Sequence, residues 1–305
     1  MRDAFIKSLI ELAEKDERVA LLTGDLGFGV VEKFENKFPD RFWNCGVAEQ
    51  SMLSIAAGLA KSGMRPFVYS IANFPTFRCL EQIRNDVCYH DLPVTIVSVG
   101  GGLGYGTLGY THHGIEDIAA MRALPNIAVY SPSDPIETQE VLNRIYSSAK
   151  PAYLRLGKNG EPIIEARTEK FVAGSARELL SGSDLTILAS GAIAETCVTA
   201  ATQLSEKYSI QVISIPQIQP MPIAFLLETI DADKVLVVEE HVERGGLASA
   251  LLESINNKKV SLHLNHAFVQ ENLISHIGTQ NYLRGLSGID LQGITDHCLK
   301  ILENV

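Results

Sequence analysis

Glu49 and the pair His112-His113 are the residues of this 305-residue chain best placed to move protons. Glu49 stands in Cys45-Gly46-Val47-Ala48-Glu49-Gln50. Before it, Arg41-Phe42-Trp43-Asn44-Cys45 reads as a strand, and after it Met52, Leu53, Ile55, Ala56 and Leu59 recur at helical spacing. An acid in the first turn of a helix gains from the helix dipole, which is an ordinary structural use. Held between an apolar strand and a helix expected to be buried on most of its surface, the same carboxyl can carry or lend a proton near neutral pH. His112 and His113 close a glycine-rich loop that follows another apolar strand, and imidazole changes its charge nearest pH 7. Crevices at the carboxyl ends of parallel strands are where α/β proteins bind ligands. An acid and an imidazole in one crevice fit proton-transfer chemistry, without naming a substrate.

The loop itself runs Gly100-Gly101-Gly102-Leu103-Gly104-Tyr105-Gly106-Thr107-Leu108-Gly109, and Gly104 to Gly109 spells GxGxxG. A dinucleotide-binding turn needs a helix to open inside that motif. Here the helix is expected only near Gly114, too late for that geometry, although Asp134 would suit a ribose. The glycines do require a backbone free to take positive φ and to admit close neighbours.

These residues need a scaffold, and the chain alternates apolar strands with amphipathic helices. The strands are 19–22, 66–69, 94–97, 127–130 and 152–155, then 185–188, 210–213 and 234–238. The helices are 50–62, 80–89, 114–123 and 135–147, then 192–208 and 246–256. The pattern predicts an α/β fold in two parts: a parallel-sheet domain over 1–165, a linker over 166–182 and a smaller α/β domain over 183–305. A net charge of -10 opposes affinity for nucleic acid or anionic membranes. Five scattered cysteines without a CxxC pair argue against a disulfide framework or a zinc site and point to reduced thiols in the cytoplasm. The first helix, with Phe5, Leu9, Leu12 and Ala13 inward, does not read as a signal peptide.

Taken in order, Gly24-Asp25, Phe38-Pro39-Asp40-Arg41-Phe42, Gly46-Val47-Ala48-Glu49-Gln50, Phe74-Pro75-Thr76-Phe77-Arg78, Glu81-Gln82-Ile83-Arg84, Gly109-Tyr110-Thr111-His112, Glu116-Asp117 and Met121 to Asn126 resemble the motifs of transketolases. Val238-Glu239-Glu240-His241 with Gly245-Gly246-Leu247 extends the resemblance towards the end of the chain. It implies a pyrimidine-binding domain of thiamine diphosphate followed by the family's C-terminal domain. The family's N-terminal domain holds Mg²⁺ and the diphosphate through Gly-Asp-Gly and a following Asn. Here Leu26 follows the only Gly-Asp. The resemblance is therefore to the C-terminal half of a split transketolase, and it implies a separate N-terminal partner subunit and an α2β2 heterotetramer.

By the same resemblance Glu49 hydrogen-bonds the aminopyrimidine of thiamine diphosphate and favours its imino tautomer. Phe74 and Phe77 pack on that ring, with Arg78 beside them and the register over 77–80 open to a one-residue slip. Asp25 lies near the cofactor where two subunits meet, and His112 contacts the reacting oxygen. The substrate end departs from the family. Gly100 stands where a His is usual, Thr107 and Leu108 replace acidic residues, Gly29 replaces a Ser, and Lys158 takes the place of a phosphate-binding Arg, without its bidentate fork. These departures imply ketol transfer to a modified, unphosphorylated or nucleotide-linked sugar. A deoxyxylulose-phosphate-synthase-like subunit, a 2-oxo acid dehydrogenase β-type subunit and, last, a non-enzymatic nucleotide-binding regulatory subunit are the alternatives.

Overall fold

The computed structural model describes residues 1–168, 170–256, 258 and 262–303. Its first sheet is built from the apolar segments anticipated above: β1 (Val19–Thr23), β2 (Phe42–Asn44), β3 (Arg65–Ile71), β4 (Thr95–Val99), β5 (Ala128–Tyr130) and β6 (Ala152–Leu156). These six strands pair in parallel in the order β5-β6-β4-β3-β1-β2. β1, β4 and β6 are buried along their whole length, which is why they read as continuous apolar runs.

The stretch over 166–182, expected as a linker, carries β7 (Phe171–Val172) and β8 (Ala176–Leu180), hydrogen-bonded into the second sheet. That sheet is completed by β9 (Leu185–Ser190), β10 (Ile210–Ser214), β12 (Lys234–Glu239) and β13 (His263–Ala267), in the order β13-β12-β9-β10-β8-β7. One further strand, β11 (Gln217–Gln219), leaves the second domain and pairs antiparallel with β5 at the edge of the first sheet. The domains also share a hydrophobic core in which Met52 and Val68 of the first join Ile213, Val235 and Leu247 of the second.

Three helices differ from expectation. Glu49–Lys61 buries Met52, Leu53, Ala56, Ala57 and Ala60 but leaves Ser51, Ser54, Ile55 and Gly58 exposed, so it is half-covered and not buried all round. The segment expected as one helix over 80–89 is an α turn at Leu80–Gln82 continued by a π-helical stretch, Ile83–Cys88. The helix expected from Gly114 begins at Asp117. Among the described residues no helix is long and apolar enough to cross a membrane.

Candidate functional site

Three strand ends build the site. Beyond β2, Asn44 accepts hydrogen bonds from Asp25 N and Gly46 N, both at 3.0 Å, and its Nδ2 donates to Asp25 Oδ1 at 3.2 Å. This ties the end of β1 to the turn before Glu49. Asp25 (φ 57) and Gly46 (φ 68) take left-handed backbone there. Gly24 brings the β1 end against Glu49: a Cβ on it would stand 3.6 Å from Glu49 Cγ. Glu49 then opens its helix with a carboxylate only 5% exposed.

After β3, the short helix Asn73–Phe77 delivers the aromatics and Arg78. Arg78 Nη1 donates to Glu49 Oε1 at 2.8 Å, and its guanidinium carbon stands 3.9 Å from the Phe74 ring centre. The sequence placed Arg78 only beside the aromatics; the fold pairs it with Glu49. The third contribution comes from the loop after β4. His112 packs edge-on to Phe74 with ring centres 5.3 Å apart, and its Nδ1 lies 2.9 Å from Thr111 Oγ1. Partial burial, and then the nearby Arg78 charge, hold the His112 pKa below its ordinary value. The imidazole is therefore neutral at pH 7, able to donate from one nitrogen and accept at the other.

Two cavities meet at Arg78. One, of about 360 Å³, is lined by Val47, Glu49, Gln50 and Ser51; the other, of about 500 Å³, by Phe74, Phe77, Tyr110 and Glu116. Asn73 also lines the second, with its Oδ1 buried and unpartnered. Tyr110 donates to Glu116 at 2.7 Å, and that carboxylate, with burial, pushes the phenol up to about 12.

The fold thus gathers Glu49, Phe74, Phe77, Arg78 and His112, with Asp25 held at their edge through Asn44. The substrate-end positions form a second group. A Cβ on Gly100, whose φ is 75, would fall 2.1 Å from the Tyr105 ring, and the Lys158 ammonium stands 5.1 Å from the centre of that same ring. Leu108 is exposed and lines neither cavity. His113, by contrast with its neighbour, is fully buried and packs against Tyr110. Asp134 is not free for a ribose: it caps the helix Pro135–Ser148 and accepts from Ile164 N and Arg177. Asn44, Tyr110 and Glu116, which stand in the quoted segments, carried no role in the sequence, and Asn73 gave no signal there. Asn44, two residues before a glycine turn, carried a local signal, since Asn side chains commonly accept from the backbone two residues on.

Two domains of this architecture, with a carboxylate, a guanidinium and an imidazole at the carboxyl ends of the first sheet, define a two-domain α/β protein with an open ligand site. The family models described as "Transketolase, pyrimidine binding domain" and "Transketolase, C-terminal domain" match residues 1–161 and 174–290. The chain belongs to the transketolase family, as a C-terminal section. It is 32% identical over 306 residues to an apulose-4-phosphate transketolase subunit of Phocaeicola vulgatus, covering 99% of this chain and 97% of that protein. It is 35% identical to 1-deoxy-D-xylulose-5-phosphate synthase of Aquifex aeolicus, covering 95% of this chain and 46% of the synthase. A solved structure, "Split gene transketolase, inactive beta4 tetramer", superposes with a TM-score of 0.86 at 30% identity, covering 99% of this chain and 97% of that one.

Proposed function

We propose that this chain supplies the pyrimidine-binding half of a thiamine-diphosphate-dependent enzyme that transfers a two-carbon ketol unit between sugars. The observation that carries the reading is the Glu49 carboxylate. It is nearly buried, paired through Oε1 to Arg78, and opens on a cavity that adjoins one walled by Phe74 and Phe77. Among the described residues no group donates to its Oε2. A flat aminated heteroaromatic ring fits an acceptor beside two aromatic faces. The cofactor, when bound, supplies the carbanion chemistry.

The chain's own residues then have distinct tasks. Glu49 Oε2 would hold the cofactor's pyrimidine ring through a hydrogen bond. Phe74 and Phe77 exclude water from the ring faces. Arg78 fixes the Glu49 carboxylate, and Asn44 fixes the turn that presents it. Neutral His112 offers an N–H to an oxygen on which negative charge develops. Replacing Glu49 by Gln should lower ketol transfer about 10²- to 10⁴-fold with the circular dichroism spectrum unchanged; full activity in Glu49→Gln would overturn the reading.

A separate N-terminal subunit would hold the diphosphate and Mg²⁺, and two such pairs would make an α2β2 heterotetramer. The exposed apolar side chains of Val47 and Phe77, on the cavities that meet at Arg78, support a covering partner. So does the solved relative described as an inactive beta4 tetramer. Five free thiols, four of them buried, fit a reducing cytoplasm.

The sugar is a non-standard one in this reading, because the Tyr105 ring fills the space a side chain on residue 100 would need. The Phocaeicola relative is itself named for apulose 4-phosphate. Robust turnover of xylulose 5-phosphate with ribose 5-phosphate would refute this part. The Aquifex synthase keeps a second reading open, and pyruvate serving as donor would decide for it.

A further inference from the structure

His112 is presented by the second of two single 3₁₀ turns, Gly106–Leu108 and Tyr110–His112, joined at Gly109 in left-handed backbone (φ 78). The first two residues of the helix Asn73–Phe77 clamp that turn. Asn73 Nδ2 donates to Thr111 O at 3.2 Å, and the Phe74 ring meets the His112 imidazole edge-on. His112 N also donates to Gly109 O at 2.9 Å. Backbone and ring are thus held by contacts already formed, and what remains to be set is which ring nitrogen carries the hydrogen.

A neutral imidazole has one N–H and one bare nitrogen, and the hydrogen bond made by one nitrogen decides the state of the other. Thr111 Oγ1 lies 2.9 Å from His112 Nδ1, and among the described residues nothing else bonds to that hydroxyl or to Nε2. Two arrangements fit this distance. With the hydrogen on Nδ1, the hydroxyl accepts it, its own hydrogen has no protein acceptor, and Nε2 presents a lone pair that repels an oxygen gaining negative charge. With the hydroxyl donating to Nδ1, its hydrogen is used and Nε2 carries the N–H. A hydroxyl donating into the ring also polarises it, which makes the N–H on the far side a stronger donor. The β-branch of threonine restricts rotation about χ1, so the hydroxyl is held more firmly than a serine hydroxyl would be.

We propose that Thr111 is a positioning residue for His112: its hydroxyl donates to Nδ1, keeps the hydrogen on Nε2, and so makes that nitrogen a fixed donor. The inference rests on the ketol-transfer reading only for the oxygen that Nε2 meets. It gives His112 the task of donating a hydrogen bond and excludes Nε2, at neutral pH, as the acceptor of a proton.

The test is the ¹⁵N spectrum of the full chain carrying labelled histidine, recorded at about pH 8, above the imidazole range. The His112 signals are assigned by their absence in His112→Asn. A bare Nδ1 and a protonated Nε2 are expected. In Thr111→Val the two signals should move towards each other as both tautomers become populated, at unchanged melting temperature because Thr111 is exposed. With the N-terminal partner and cofactor present, the same substitution should lower kcat about tenfold and leave the sugar KM within about twofold. Thr111→Ser should restore the Nε2–H form and most of the rate. A protonated Nδ1 in the unsubstituted chain would overturn the proposal. So would an unchanged tautomer in Thr111→Val, or an unchanged kcat. Full activity in Glu49→Gln, by contrast, would remove the ketol-transfer reading and leave the nitrogen spectrum as it is.

Discussion

The two groups of charged residues that flank the glycine loop are built on opposite principles. On the inner side, Asp117, Arg155, Glu240 and Arg284 form a closed set between the domains. Arg155 donates to the carbonyls of Gly114 and Glu240, and Tyr153 donates to Asp117 at 2.5 Å. Arg155 Nε is also 2.9 Å from Asp117 Oδ2, close enough to pair electrostatically although not aligned as a hydrogen bond. Arg284 donates to Glu240 at 2.8 Å. On the outer side, Glu49 has a single cation, Arg78, itself 47% exposed, and two cavities beside it. The glycines belong to the inner set: a Cβ on Gly101 would strike Arg155, and one on Gly102 would strike Glu240. The loop is glycine-rich because the closed network presses on it, and the open group depends on the loop for His112. The inner charges have their ion partners buried with them and hold the fold; the Glu49 pair, with one side open, is available to a ligand.

Breaking the closed set should have the largest effect. Arg155→Met leaves Asp117 without its cation and the two carbonyls without their donor, and a cost of about 3–5 kcal/mol is expected for one member of a buried ion pair. It would appear as a lower denaturant midpoint at unchanged slope; a loss under about 1 kcal/mol would remove the distinction from the open group. Next is Glu137, buried among Ser133, Asp134 and Ser214 at the domain junction. Burial, and then the charge of Asp134, raise its pKa to about 7. The folded protein therefore keeps a proton that the unfolded chain releases above about pH 4.5, so stability should fall as pH rises from 4.5 to 7. The loss approaches about 3 kcal/mol. Glu137→Gln should lack that fall in a urea series across this range.

The open group should respond through activity instead. His112→Asn is expected to reduce kcat about 100-fold at unchanged melting temperature. In the unsubstituted enzyme the acidic limb of the pH–rate profile should lie below pH 6.5, because burial and Arg78 hold that imidazole neutral; a limb unaltered by the substitution would exclude His112 as its source. The smallest effect on stability belongs to Arg78→Gln, within about 1 kcal/mol, because one end of its ion pair is in solvent. A larger loss would place Arg78 in the fold's framework and not in the site.

Much of this division was legible in the residues. Continuous apolar runs marked β1, β3, β4, β6, β9, β10 and β12, and the family motifs located Glu49, Phe74 and His112. β8 was missed because Glu178 sits inside it, fully buried. The partners that make this possible, Gln211 at 2.6 Å and Thr168 at 2.8 Å, are distant in sequence or outside the strand. β11 and β13 are short or polar edge strands whose pairing is set by the other domain or by β12. For the same reason Glu49 could be recognised at a strand-to-helix junction, whereas its pairing with Arg78, 29 residues away, needed the folded chain.

The central claim is that the open group is half of an active site. It is tested most directly by titrating the N-terminal partner subunit into a fixed amount of this chain, with thiamine diphosphate and Mg²⁺ present, and measuring ketol transfer. The account predicts no transfer by either chain alone and a rise to a plateau at one partner per chain. Ketol transfer by this chain alone at the plateau rate would contradict it.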